Sequence, residues 1–294
     1  MKNLLIKSYA KINIVLNVLG KQEDGYHQLD MVMLPLVLHD SILLTKVPNA
    51  PDNYVTTDDF TLGDVQYNLA TFAIDTMQKK YGFDSKFRVF IHKILPMQAG
   101  LGGGSSNAAA TMIGVNKYLK LGIPDDELIE IGKKLGADVP FFIKNTPCRV
   151  QGIGEKLTPI TVKNDYYVLV VKPEGGCSTK QVYNLSDTME LKTYDVDTVI
   201  KALAEGDDEL LANSIGNSLE PAGISVVPEI QNIKDDLKSK GLNIVLMSGS
   251  GSCVFALSTN KKLIKSIARE YEDKYRVEVT KILKKEWNSP SKVQ

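Results

Sequence analysis

Residues 96–111, PMQAGLGGGSSNAAAT, carry more potential chemistry than any other segment of this chain. Gly100, Gly102, Gly103 and Gly104 let the backbone approach a ligand closely and adopt positive φ at little steric cost. Ser105, Ser106 and Asn107 follow, and then Ala108, Ala109 and Ala110, strong helix formers. A helix start whose first N–H groups are unpaired, reached through glycines, is a cradle for phosphate. A plain glycine hinge with a serine cap would need fewer glycines. The loop is not a Walker A loop, because Gly104 leads to Ser105 and the nearest downstream lysine is Lys117. A dinucleotide fingerprint fits poorly as well: Asp125 and Asp126 lie at a suitable distance but follow Pro124 at a helix start.

Other candidates are scattered along the chain. Lys11 and Asn13, in YAKIN, fall on the same side of a strand, opposite Ile12 and Ile14. Alone, that pair reads as solvated surface. Asp138, in LGADVPFF, follows a helix that Gly136 ends and precedes an apolar, strand-like run that draws it inward. A carboxylate there needs a partner, and a nearby lysine would stabilise its charged form. Gly25, Tyr26 and His27 form a polar turn, and the three histidines, His27, His39 and His92, have no metal-ligand spacing. No metal ligand is assigned. SGSGSC, residues 248–253, reads as a flexible hairpin between two strands.

The elements that must position these groups follow from periodicity. Ile12, Ile14, Leu16 and Val18 alternate with Lys11, Asn13, Val15 and Asn17, as in a half-buried strand. Strands are also expected over 41–47, 87–95, 166–171, 243–247, 253–257 and 276–280. Helices are expected over 67–81, 125–135, 195–203, 208–215, 227–240 and 261–271, with one more leaving the glycine loop. Residues 48–63 are a polar surface excursion and 287–294 a frayed tail. Strand–helix alternation in both halves argues for α/β or α+β with mixed sheets.

Composition excludes several classes. The chain has 294 residues, 43% apolar and 24% charged, with 35 basic against 35 acidic side chains. That supports a sizeable core in two domains or one large unit, and it disfavours nucleic acid as a partner. Three separated cysteines, Cys148, Cys177 and Cys253, fit a reducing compartment, and no run of about 18 apolar residues spans a membrane. The cytoplasm is the expected location.

Taken in order, YAKINIVLNVLGKQEDGYHQLDMVM, PMQAGLGGGSSNAAAT, LGADVPFF, GIGEKL and SGSGSCVFAL resemble the GHMP kinase superfamily. More narrowly, they are similar to its branch acting on a cytidine-diphosphate-linked methylerythritol in non-mevalonate isoprenoid biosynthesis. The resemblance implies an α+β, two-domain fold. An N-terminal S5-domain-2-like kinase domain (1–160) would face a C-terminal ferredoxin-like domain (161–294), with the active site in the cleft between them. It implies ATP and Mg²⁺, phosphorylation of the 2-hydroxyl of that substrate, and a monomer or homodimer. Lys11 and Asp138 match the catalytic pair. Pro96, Met97, Gln98, Ala99, Gly100, Leu101, Gly102, Gly103, Gly104, Ser105 and Ser106 match the ATP phosphate loop, Asn68 and Leu69 the adenine pocket, and Lys93 a basic residue before the loop. Asn13, Tyr26, His27, Thr179 and Tyr183 match the substrate site, with Tyr26 and Tyr183 flanking the cytosine. Gln98 departs from the small residue usual there, which bears on the width of the nucleotide site. A GHMP kinase for mevalonate or homoserine, or a non-catalytic nucleotide-binding relative, is the alternative.

Overall fold

The computed structural model describes residues 3–23, 25–59 and 68–284. The first part of the chain runs β1 (Asn3–Lys21), β2 (His27–Lys46), β3 (Tyr54–Thr57), α1 (Leu69–Tyr81), β4 (Phe87–His92), α2 (Gly103–Leu119) and α3 (Asp125–Gly132). It continues through α4 (Val139–Lys144), β5 (Cys148–Gly152), β6 (Lys156–Pro159) and β7 (Tyr167–Lys172). Then come α5 (Thr179–Ser186), α6 (Val196–Glu205), α7 (Asp208–Ser214), β8 (Gly216–Asn217) and α8 (Glu220–Val226). The last elements are α9 (Glu229–Ser239), β9 (Ile244–Met247), β10 (Val254–Ser258), α10 (Lys261–Tyr271) and β11 (Arg276–Lys281).

Seven strands form one sheet, ordered β3-β4-β2-β1-β8 with β5 and β6 branching from β2. Four form the second, ordered β11-β7-β10-β9 and antiparallel throughout. Taken with α8–α9 before β9 and α10 before β11, that order is the ferredoxin-like arrangement. The class is α+β with mixed sheets.

The second sheet is buried on both faces. Leu169, Val171, Val245 and Ala256 pack in one apolar cluster with Ile230, Ile233, Ile264 and Ile267 of α9 and α10. From the other face, Val168, Val170, Leu246 and Phe255 join Ile12 and Ile14 of β1 and Leu34 and Leu36 of β2. Phe255, Ile12, Ile14 and Leu34 are fully buried, each stabilising the fold by about 1.5–3 kcal/mol. The two sheets are therefore joined by a dry layer.

β1 departs from the half-buried strand expected of its alternation. It is buried almost continuously from Ser8 to Val18. Its side chains also change partners along its length: Leu4, Ile6, Leu16 and Val18 belong to one cluster, whereas Ala10, Ile12 and Ile14 belong to the other. Register irregularities fall at the changes, between Tyr9 and Lys11 and between Asn13 and Val15. Asn13 pairs with Met33 and Val15 with Val32, so Ile14 is an extra residue and the strand changes phase there. Lys11 and Asn13 are thereby turned inward, 4% and 1% exposed, and are not surface.

Other expectations need correction. The apolar run after Asp138 is the helix α4, not a strand, with Pro140 in its first turn, where a missing N–H costs nothing. Within the excursion, β3 pairs in parallel with β4. Also not foreseen were the β5–β6 hairpin, the short strand β8, α5 and α8. Residues 60–67 and the tail expected to fray lie outside the described residues.

Candidate active site

The glycine loop enters α2 as its spacing suggests. Gly102 is the N-cap in the left-handed region (φ 73°), with no side-chain cap. The first backbone bond into the helix is Ser106 N–H to Gly102 O, 2.9 Å. The N–H groups of Gly103, Gly104 and Ser105 precede it, in the turn where a helix cannot pair its own donors. With the helix dipole they suit an anion.

Three structures hold that loop. The Lys11 N–H donates to Leu101 O (3.1 Å), tying it to β1. Ser248 Oγ donates to Gly100 O (2.9 Å), Ser252 N–H to Gln98 O (3.1 Å) and Cys253 N–H to Ala99 O (3.3 Å). SGSGSC is thus a clamp on the glycine loop, where sequence suggested a flexible hairpin. Gly100 must be glycine: a Cβ would lie 1.8 Å from Ser248 O, and φ is 72°. Behind the loop, Asp40 is fully buried and accepts from Lys93 Nζ (2.6 Å), Ile94 N–H (2.8 Å) and Leu95 N–H (2.7 Å). Removing that carboxylate would strand a buried ammonium, which costs about 3–5 kcal/mol.

A cavity of about 600 Å³ opens beside the loop. Every residue expected at the site lines it except Ser106. Ser106 is 2% exposed and accepts from Ser8 Oγ at 2.8 Å, so Ser105 is the loop hydroxyl facing the cavity. Lys11 Nζ donates to Asn13 Oδ1 (2.7 Å) and lies 3.7 Å from Asp138 Oδ2. Asn13 Nδ2 contacts Met31 Sδ at 3.1 Å. The Asp138 side chain is 28% exposed, at the start of α4 and open to the cavity. Gly249 covers the amine: a Cβ there would sit 3.0 Å from Lys11 Nζ.

Beyond the Lys11–Asp138 pair, the rings of His27 and Tyr183 lie 4.7 Å apart, tilted by 37°. Burial pushes the Tyr183 phenol above its ordinary range, and the charge of Asp138 adds to this. Tyr26 is exposed at 56%. Thr179 Oγ1 lies 3.1 Å from Ser250 Oγ, joining α5 to the clamp. On the far side, Asn68 caps α1, accepting from Ala70 N–H at 2.9 Å, and Leu69 lies beside Gly104. The Gln98 side chain turns toward Gly176, where a Cβ would meet its Oε1 at 2.3 Å. Its length is accommodated by a residue with no side chain.

Sequence reasoning missed Asp40, Asp187 and Asn217. Asn217 Nδ2 donates to Met247 O (3.0 Å) and Gly249 O (2.7 Å), holding the clamp in place. Each acts through an unbroken polar contact to a residue distant in sequence, which leaves no local pattern to read.

Residues 68–145 match the family model described as GHMP kinases N terminal domain, and residues 199–277 match GHMP kinases C terminal. Fold and loop together define a small-molecule kinase of the GHMP class. A 4-diphosphocytidyl-2-C-methyl-D-erythritol kinase of Lachnospira eligens is 38% identical over 258 residues, 87% of this chain and 89% of that protein. One of Lachnoclostridium phytofermentans is 37% identical over 273 residues, 92% and 94% of the two chains. The chain belongs to the 4-diphosphocytidyl-2-C-methyl-D-erythritol kinase family. A crystal structure of 4-(cytidine 5'-diphospho)-2C-methyl-D-erythritol kinase, 28% identical, superposes with a TM-score of 0.78 over 95% of this chain and 99% of that one. Homoserine kinase from Cytophaga hutchinsonii shares the fold at 17% identity, with a TM-score of 0.75 and coverage of 98% and 96%. Among the described residues, no helix is long and apolar enough to cross a membrane.

Proposed function

We propose that this kinase transfers the γ-phosphoryl group of ATP to the 2-hydroxyl of 4-diphosphocytidyl-2-C-methyl-D-erythritol. The observation that carries the reading is the position of the Lys11–Asp138 pair in one cavity with the helix-capped glycine loop and the His27–Tyr183 rings. The triphosphate occupies the N-terminus of α2, with adenine toward Asn68 and Leu69. The cytosine lies at Tyr26, His27 and Tyr183, and Thr179 and Asn13 line the path between. Residues 1–160 form the kinase unit and 161–294 its cover, as a monomer or homodimer in the cytoplasm. Phosphoryl transfer proceeds through a loose transition state, so positioning and charge stabilisation do most of the catalysis. Asp138 accepts the proton of the attacking hydroxyl as its bond to phosphorus forms. Lys11, aimed by Asn13, offsets the negative charge on the transferred group.

Mg²⁺ fits this site through the nucleotide. Asp138 is the one carboxylate among the described cavity-lining residues, and Asp40 is spent on Lys93 and two N–H groups. Magnesium commonly keeps several waters and binds chiefly through substrate phosphates. Ser105 is the loop hydroxyl that would complete such a shell, with Asp138 left as the base, and the ion would offset charge on the phosphate oxygens.

The test is ADP release from ATP and Mg²⁺ with the cytidylylated diol, beside mevalonate and homoserine. Turnover of the first alone supports the reading, whereas turnover of either control instead overturns it. The His27–Tyr183 subsite argues against both controls, because neither contains a ring to stack.

A further inference from the structure

His27 is held by a residue outside the expected set. Asp187, at the C-terminal end of α5, contacts His27 Nε2 through Oδ1 at 2.6 Å. Its other oxygen accepts from Lys21 Nζ, also at 2.6 Å. Bonds from Lys21 and His27 hold its carboxyl below the ordinary range, so it is an acceptor only. The shared proton therefore resides on Nε2, and in the neutral ring Nδ1 is an acceptor. Tyr183 packs on the same ring, whose side chain is 10% exposed within the cavity wall. The imidazole is fixed both in orientation and in tautomer.

Stacking cannot choose between pyrimidines, because each has a π-face. A lone pair held in place can. We propose that Asp187 is a positioning residue for base choice: by accepting the Nε2 proton it presents His27 Nδ1 as an acceptor, suited to the 4-amino group of cytosine and opposed to the 4-oxo group of uracil. This rests on the reading of Tyr26, His27 and Tyr183 as the base subsite. A site built to accept a hydrogen bond rejects a ligand that leaves it facing another acceptor, since both groups stay desolvated and unpaired.

The test compares wild type, Asp187→Ala and Lys21→Met in the full chain. Binding of cytidine 5'-diphosphate and uridine 5'-diphosphate is measured by calorimetry, and the imidazole protons are located by long-range ¹H–¹⁵N NMR. With three histidines in the chain, His27→Gln assigns the signal. Wild-type His27 is expected as the Nε2–H tautomer. Asp187→Ala should mix the tautomers and reduce the cytidine-over-uridine preference by about tenfold or more. The KM for the cytidylylated substrate should rise with kcat nearly unchanged. Lys21→Met, which keeps the Asp187–His27 bond, should retain the preference, as a merely structural role for the cluster would not. A wild-type proton on Nδ1, or full cytidine preference in Asp187→Ala, overturns the proposal. A wild-type chain that binds both nucleotides yet phosphorylates no cytidylylated diol would sink the functional reading instead, and the NMR and calorimetry would still decide the role of Asp187.

Discussion

The ammonium of Lys11 lies 3.7 Å from a carboxylate oxygen of Asp138 and only 2.7 Å from the side-chain oxygen of Asn13. The longer contact is an ion pair but not a hydrogen bond. Asn13 therefore fixes the amine, while the oxygens of Asp138 stay open to the cavity. Lys11 is 4% exposed, so its charge acts in a medium that screens poorly.

Replacing Asp138 by Asn should lower kcat by about a hundredfold or more, with the Kd for ATP within about threefold of wild type. Single-turnover kinetics and nucleotide titration check this. Normal turnover by the variant would remove Asp138 as the base. Lys11→Met should also depress kcat, and the double variant should lose far less than the product of the two losses, because the groups act as a unit.

Tyr26 is largely exposed where it lines the cavity, and the proposed reading stacks the base on it. Base–aromatic stacking contributes about 1–3 kcal/mol, so Tyr26→Ala should raise KM about fivefold to a hundredfold. Stacking is equal in ground and transition states, hence kcat should change little. Steady-state kinetics would exclude Tyr26 from the site if KM did not move.

Two glycines in one loop should respond oppositely to alanine. At Gly100 a Cβ would lie 1.8 Å from a backbone oxygen of the clamp, in a left-handed conformation. Gly104 has its nearest neighbour, a Leu69 methyl, at 3.9 Å. Gly100→Ala should lower Tm markedly, whereas Gly104→Ala should leave it within a degree or two, or raise it slightly by restricting the unfolded chain. Equal melting temperatures for both variants would mean that the clamp is not packed as described.

Acid sensitivity has an identifiable contributor. Glu229 is lowered from 4.5 to about 2, chiefly by the Tyr275 hydroxyl, then by Asn232 and Lys274. A depressed carboxyl contributes stability that is complete above its unfolded value and lost as pH falls through its folded value. The contribution from Glu229 should therefore fade between about pH 4.5 and pH 2. Asp187 and Asp195 are shifted in the same direction. Urea midpoints at pH 7 and pH 3 should differ less for Glu229→Gln than for wild type; an identical difference would refute the assignment.

Much of this was legible before any coordinates. The glycines and alanines of the loop announce a helix start, and Asn260 before α10 and Asp195 before α6 cap their helices as such residues do. Long-range effects were not legible. A change of phase at Ile14 splits Ile12 from Leu16, though both obey one alternation. Val139–Lys144 is apolar enough to pass for a buried strand, and only its packing beneath α2 decides for a helix. Asp187 was invisible because its role depends on Lys21 and His27, brought to it by folding.

The dry layer joining the two sheets has a practical corollary for anyone handling this enzyme. Ile12 and Leu34 are shielded by Phe255 and Val170, so neither half of the polypeptide has a finished exterior of its own. Cleaved near residue 160, each fragment would expose a greasy flank and tend to precipitate. The molecule is in this sense indivisible: it should melt as one body, and its cavity takes lining from both sides of the join, Lys11 and Asp138 from one and Thr179, Tyr183 and Gly249 from the other.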